Sequence, residues 1–323
     1  SRPAAGPTRW LVGSTISEMG LSPSATDQIA SCLPDSDLLA PELVGSAFTG
    51  SAFEVQEAAG QSIGAAVAAA RSLSESRNHS DAGLPSALER SQAITAFSGH
   101  LVVDGERPPM WADLSGTYRA ADGRFLQLHC NFPHHAAGVV DHLGTTNERS
   151  AVAAAIAERD AFELETELIE LGLIAASCRT LAEWDRHPHG MATRDLPLLQ
   201  IEKLGEAPPR PLGTAEPGPA GGARVLDFSR VLAGPVCGQT LAAAGADVLR
   251  VGARHLPSVP VAVMSTGFGK RNAFVDLDVD QGQAAVAELL SRADVVVDAY
   301  RPGALAAKGL SPERIAADAP GAV

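Results

Sequence analysis

Lysine and arginine recur beside strand-like runs in the last hundred residues, and that recurrence is the first chemical signal in the chain. Arg250, Arg254 and His255 stand at and just after ADVLRV; Lys270 and Arg271 follow Gly267-Phe268-Gly269; Tyr300 and Arg301 follow DVVVD. In an open parallel sheet, loops at strand ends gather along one edge, where ligands bind. The formal net charge is −13, so these cations form a local exception. Such a cluster suits a phosphorylated, adenine-bearing ligand. Solvated charges on loops are the plainer alternative. The acidic balance disfavours a nucleic-acid surface, which needs a basic footprint, and no nucleic-acid partner is expected.

The stretch RVLDFSRVLAGPVCGQTLAAAGADVLRV (Arg224 to Val251) reads as strand, turn, helix and strand. It contains neither GxGxxG nor GxxxxGK[ST], so it is neither a dinucleotide fingerprint nor a phosphate loop. Gly234-Pro235 opens the helix instead: glycine allows close backbone approach, and proline suits the first helical turn. A plain structural turn explains this loop equally well by itself.

Other residue types invite chemistry and are weighed down by their spacing. His129, Cys130, His134, His135 and His142 crowd one region. A proline turn interrupts HCNFPHH, and adjacent histidines point apart in extended chain, so no metal is expected. Asp185 and His187 are two apart, which does not bring an acid–base pair together on a helix. Trp184 is expected in the core or at a domain contact.

The elements that must position these groups fall into two regions. The 323 residues suit two domains. Glu57 to Leu73 predicts an alanine-rich helix, followed by a surface loop to Pro85. Gly116 to Cys130 predicts a hairpin about Asp122-Gly123, and Asn147 to Leu171 two helices. A short strand is expected at Ile174 to Arg179 and a helix in LAEWDRH. The proline- and glycine-rich segment 205–222 separates residues 1–204 from 223–323. Beyond it, strands are expected at Leu226, Asp247–Val251, Ala273–Leu277 and Asp294–Asp298, with helices Pro235–Ala244 and Gln281–Arg292 between them. That alternation predicts an α/β fold with a doubly wound parallel sheet. No apolar run approaches the ~18 residues of a membrane span, and no secretory leader is visible, so the expected location is cytoplasmic. Four scattered cysteines are expected to be reduced.

Three ordered segments carry a resemblance: RVLDFSRVLAGPVCGQTLAAAGADVLRV, GFGKRNAFVDLD and ADVVVDAYRPGALAAKGLSPE. Together they resemble the opening hundred residues of family III CoA-transferases, a group that includes formyl-CoA and carnitine CoA-transferases and α-methylacyl-CoA racemases. WADLSGTYRAADGRFLQLHCNFPHH and EWDRHPHG resemble that family's small-domain and carboxyl-terminal part. The resemblance implies a Rossmann-like CoA-binding domain, a smaller α/β domain and an interlocked homodimer. Coenzyme A or acyl-CoA and a carboxylic acid would be the substrates, with no metal. It places Val231, Leu232 and Ala233 against CoA and Arg254 near the phosphates. Lys270, Arg271, Tyr300, Pro302 and Gly303 would line the nucleotide or pantetheine path. Gly252 stands where the family has an acidic residue, and Ala299 where it has asparagine.

The resemblance also implies CoA exchange through an enzyme thioester, made by an aspartate in a V-D-V-S-L-x-D-A segment. The halves here run in reverse order, as in part of a tandem or truncated member. Ser86-Ala87-Leu88-Glu89 sets Glu89 where the family's S-L-x-D sets its aspartate; the plainer reading is an exposed helix glutamate beside Arg90. An acyl-CoA racemase, or a CoA-binding protein without catalysis, are the alternatives. Glu89→Gln is the direct check: loss of a nucleophile removes CoA-ester exchange, and unchanged exchange removes Glu89 from consideration.

Overall fold

The computed structural model describes residues 27–28, 38–46, 53–77, 83–98, 101–208, 211–212 and 217–323. Within them, β1 (Glu42–Val44) and β2 (Ala87–Glu89) pair in parallel around α1 (Val55–Ser76), and α2 (Arg90–Ser98) follows. Alanine dominates α1 because it gives up no side-chain freedom in a helix. The helix runs past the expected end at Leu73, so the polar stretch Ser74 to Ser76 is helical. Residues 78–82 of the expected loop lie outside the described residues.

The second sheet is antiparallel, in the order β3 (Gly116–Arg119), β4 (Phe125–Leu128), β5 (Ala175–Ser177). The hairpin turns at Asp122-Gly123 as its sequence requires: Gly123 has φ +81°, and Asp122 Oδ1 accepts the Arg124 N–H. Three helices cover this sheet: α3 (Pro133–Leu143), α4 (Arg149–Ile156) and α5 (Ala161–Glu170). Leu126, Leu128, Val139, Val152, Ile156, Leu164 and Leu168 form the core between them. Two short helices follow, α6 (Leu181–Trp184) and α7 (Pro188–Thr193). Beside the core, buried Glu165 accepts a fork of hydrogen bonds from Arg179, Nη1 at 2.9 Å and Nη2 at 2.5 Å, and one from the Ser177 N–H.

The third sheet is parallel, in the order β8 (Lys270–Phe274), β7 (Asp247–Gly252), β6 (Arg224–Asp227), β9 (Val295–Val297). Its helices are α8 (Ala233–Ala243), α9 (Pro260–Thr266), α10 (Asp280–Leu290) and α11 (Pro312–Asp318). Strand alternation divides the sheet's side chains between two cores. Val225, Val248 and Val297 pack with Leu241 and Ala242 of α8. Leu226, Phe228 and Val251 pack with Val286 and Leu290 of α10. The doubly wound arrangement is therefore present, with helices on both faces. The third strand begins at Lys270, three residues before its expected start.

The proline- and glycine-rich stretch does not stay extended to its end. Ala220 is buried and its N–H donates to the Ala244 carbonyl at 2.8 Å. A Cβ on Gly218 would stand 2.6 Å from that same oxygen. Residues 217–222 are thus packed onto the parallel sheet's unit.

Burial acts against the Glu165 charge, yet the Arg179 and Ser177 hydrogen bonds outweigh it and hold the carboxyl below its ordinary range. The pair's stabilisation is complete above the unfolded glutamate value of about 4.3, and is lost as pH falls through the lower folded value. Arg179→Met, which leaves a buried carboxylate unpaired, is expected to cost about 3–5 kcal/mol at pH 7. The deficit shrinks as pH approaches 4, as denaturant unfolding at both pH values will show.

Candidate functional site

Strand order in the parallel sheet reverses at β6: β7 and β8 lie on one side and β9 on the other. Crevices form where connections leave in opposite directions, outside the carboxyl ends of the strands. A cavity of about 290 Å³ lies there. Phe228, Val251, Val275, Leu277 and Leu305 make its apolar walls, and Arg230, His255, Asp278, Tyr300 and Lys308 supply its polar groups. An apolar slot with a few convergent polar groups is the usual form of a small-molecule site. Lys308 Nζ and Asp278 form an ion pair at the wall, and that ammonium holds the Asp278 carboxyl below its ordinary range.

The turn from β6 into α8 shapes one side. Its Val231 has φ +68°, in the left-handed region that a β-branched residue rarely occupies. Arg230, Val231 and Arg250, with Phe132, line a second cavity of about 10 Å³, near the minimum for one water.

The residues singled out from sequence are only partly brought together. Tyr300 lines the cavity at the strand-order reversal. Val231 lines the small one, and Leu232 and Ala233 are exposed where α8 begins. Arg254 is exposed between cavity residues Ala253 and His255, its guanidinium 4.9 Å from the Phe274 ring centroid. Pro302 and Gly303 are exposed between Tyr300 and Ala304, next to the cavity lining. Lys270 and Arg271 are the departure. Because β8 starts at Lys270, both open a strand, and the amino ends of parallel strands lie opposite the cavity edge. Lys270 has its side chain fully enclosed against Asp227, and exposed Arg271 bonds Asp247 through Nε at 3.1 Å.

His255, singled out from sequence with Arg254, lines the cavity, and so do Arg230, Asp278 and Lys308, which were not singled out. A cation directly after a strand was the available signal for Arg230. Lys308 had none, because the 3-10 turn Ala306–Lys308 folds it back from beyond the Tyr300 loop.

Glu89 ends β2 immediately before α2, exposed and beside Gly45, and is not part of the cavity lining. It is a strand residue, not a helix residue, because Ala87–Glu89 pairs with Glu42–Val44. The histidine region also departs from expectation. Pro133 starts α3, so His134 and His135 occupy a helical turn, with ring centroids 4.1 Å apart. The Phe132 ring lies 5.5 Å from the Arg230 guanidinium, joining this region to the parallel sheet's unit. Burial, and then the charges of His134, His129 and Arg301, lower the His135 pKa. Among the described residues, no group of three or more His, Cys, Asp or Glu could hold a metal ion. Trp184 is 40% exposed, not core, and stacks on His187 at 5.4 Å. His187 Nδ1 accepts the His189 N–H at 3.2 Å, and the Asp185 carboxylate lies 3.8 Å from Arg194 Nη2.

The model of CoA-transferase family III matches residues 221–323. An acetyl-coenzyme A transferase of Hypoxylon pulicicidum is 28% identical over 212 residues, covering 59% of this chain and 35% of that protein. A probable fatty acyl-CoA transferase of Mycobacterium tuberculosis is 38% identical over 108 residues, 29% of this chain and 27% of that protein. A crystal structure of a Mycobacterium tuberculosis protein aligns at TM-score 0.31 and 35% identity, over 33% of this chain and 32% of that one. The chain spans about a quarter to a third of the length of the curated relatives it matches.

Both tyrosines are held protonated. Burial pushes Tyr300 up, and it does the same at Tyr118 against the opposing charge of Arg149. A raised folded pKa stabilises the fold below the unfolded value and is lost as pH rises through the folded one. At pH 10 the unfolded chain is about half ionised, whereas the native protein is expected to show less phenolate absorbance than the unfolded chain. Half-ionised native tyrosine at that pH contradicts the burial argument.

Proposed function

From the match of residues 221–323 to the model of CoA-transferase family III, we propose that the cavity at the carboxyl ends of β6 to β9 receives the nucleotide end of coenzyme A. The observation that carries this reading is the cavity's composition at the strand-order reversal. Apolar walls around Phe228, Val251 and Leu305 suit an adenine, and Arg230, His255 and Lys308 bring cationic or proton-donating groups to its phosphates. Tyr300 offers a phenol that stays protonated, hence a hydrogen-bond donor. Arg254, Pro302 and Gly303 stand next to the lining and are proposed to meet the ligand beyond the cavity itself. Val231, Leu232 and Ala233 are proposed to do so from the β6–α8 turn.

The proposed activity is CoA exchange between an acyl-CoA and a carboxylic acid. A carboxylate of the protein attacks the thioester carbonyl, the C–S bond breaks, and a mixed anhydride and CoA thiolate result. The thiolate then attacks the protein's half of that anhydride, giving an enzyme thioester and releasing the acid. An acceptor carboxylate reverses both steps and leaves as the new acyl-CoA. Glu89 is the proposed nucleophile on its place at a strand end ahead of a helix. An interlocked second copy of the chain and a cytoplasmic location complete the proposal. No helix among the described residues is long and apolar enough to cross a membrane.

One observation favours a second reading, CoA binding without transfer. Asp278 is the carboxylate in the cavity lining, and it is paired with Lys308. Calorimetric titration with CoA tests the shared part. Binding is expected, and Lys308→Ala or Arg230→Ala is expected to weaken it about tenfold, the worth of one charge-assisted hydrogen bond. Absence of binding, or indifference to both substitutions, overturns the cavity assignment. Hydroxylamine trapping after incubation with an acyl-CoA, read by mass spectrometry, separates transfer from binding alone.

A further inference from the structure

Beneath the β6–α8 turn lies an ion pair that the cavity does not use. Asp227 and Lys270 have side chains with 0% exposure, and Lys270 Nζ stands 2.8 Å from Asp227 Oδ2. Asp227 Oδ1 accepts the Ser229 N–H at 3.0 Å and also the Ser229 hydroxyl. Lys270 Nζ donates a second hydrogen bond, 2.6 Å, to the carbonyl of Pro235 in the first turn of α8. The pair therefore grips both ends of one turn, Ser229 at its start and Pro235 at its finish.

The backbone is built around that grip. A Cβ on Gly238 would stand 2.6 Å from Asp227 Oδ2 and 2.9 Å from Lys270 Nζ, so only glycine lets α8 sit over the pair. A Cβ on Gly234 would meet Ser229 and Ala299. Between the clamped ends sits Val231, at φ +68°. Valine holds such a conformation only where its surroundings over-determine it. Buried ion pairs are often matched in stability by apolar residues of similar volume, so stability alone gives no reason for this one.

We propose that Asp227 and Lys270 are positioning residues, whose buried pair holds the β6–α8 turn in the strained shape that presents Val231 and Leu232 to the ligand. The ligand's identity rests on the coenzyme A reading above; the clamp on the turn does not. Lys270 acts from below the turn and makes no contact with CoA.

The test is the double variant Asp227→Val/Lys270→Met, which removes both charges and leaves neither unpaired. Hydrogen exchange is expected to quicken at least about tenfold in residues 228–233, while β7 and β8 keep their protection. CoA affinity, by calorimetry, is expected to fall by about the same factor as preorganisation is lost. Unchanged exchange in 228–233, or quickening spread equally over the sheet, overturns the proposal. Should the double variant not fold, Ser229→Ala removes one arm of the clamp. It must quicken the same six amides selectively, or the proposal fails. A parent protein that does not bind CoA refutes the functional reading, while the exchange measurement still decides the clamp.

Discussion

Two opposite charges sealed away from water set the terms for the parallel sheet's unit. Asp227 and Lys270 come from strands that are not neighbours, β6 and β8, with β7 between them. A lysine stem is long enough to cross that gap on one face of the sheet. Once enclosed, neither charge can be left without its partner, because an isolated buried ion is far costlier than a paired one. Strand register, the seat of α8 and the glycine at 238 are consequently tied to one another.

The pleat then separates support from site. Asp227 points to the α8 face, beside Gly238. Its neighbour Phe228 joins the core under α10 and lines the cavity. Adjacent residues at one strand end thus serve opposite faces, one anchoring the turn and the other walling the crevice. The same turn reaches the antiparallel unit, where the Arg230 guanidinium lies over Phe132. That contact brings the histidine-rich first turn of α3 to the edge of the parallel sheet's unit. Among the described residues, the buried Nδ1 atoms of His129 and His135 have no hydrogen-bond partner.

Carboxylates divide by environment in a way that bears on chemistry. Asp227 is enclosed and paired, Asp278 is paired at the cavity wall, and Glu89 is exposed on a separate two-stranded sheet. A nucleophile must reach its electrophile, and pairing with a cation lowers the nucleophilicity of a carboxylate. Glu89 and Asp278 are both exposed, and Asp278 is held by Lys308.

The order of elements was legible in the chain because it depends on local rules. The Asp122-Gly123 hairpin, the alanine-rich α1, the glycine-proline opening of α8 and the alternating strands and helices after residue 223 all follow from turn chemistry and periodicity. So did the loop after the last strand, whose Tyr300 lines the cavity. The role of Lys270 was not legible. Whether a cation beside a strand faces a ligand or a buried partner depends on where that strand starts, and a three-residue shift of β8 moved it to the opposite end of the sheet. Lys308 reached the cavity only because a 3-10 turn folds the chain back on itself. Glu89 was set in a strand by pairing with residues more than forty positions away. Local preference alone thus determined which elements form and in what order. Tertiary structure decided which charges face the ligand and which face each other, because desolvation and ion pairing act between residues that only the folded chain brings into contact.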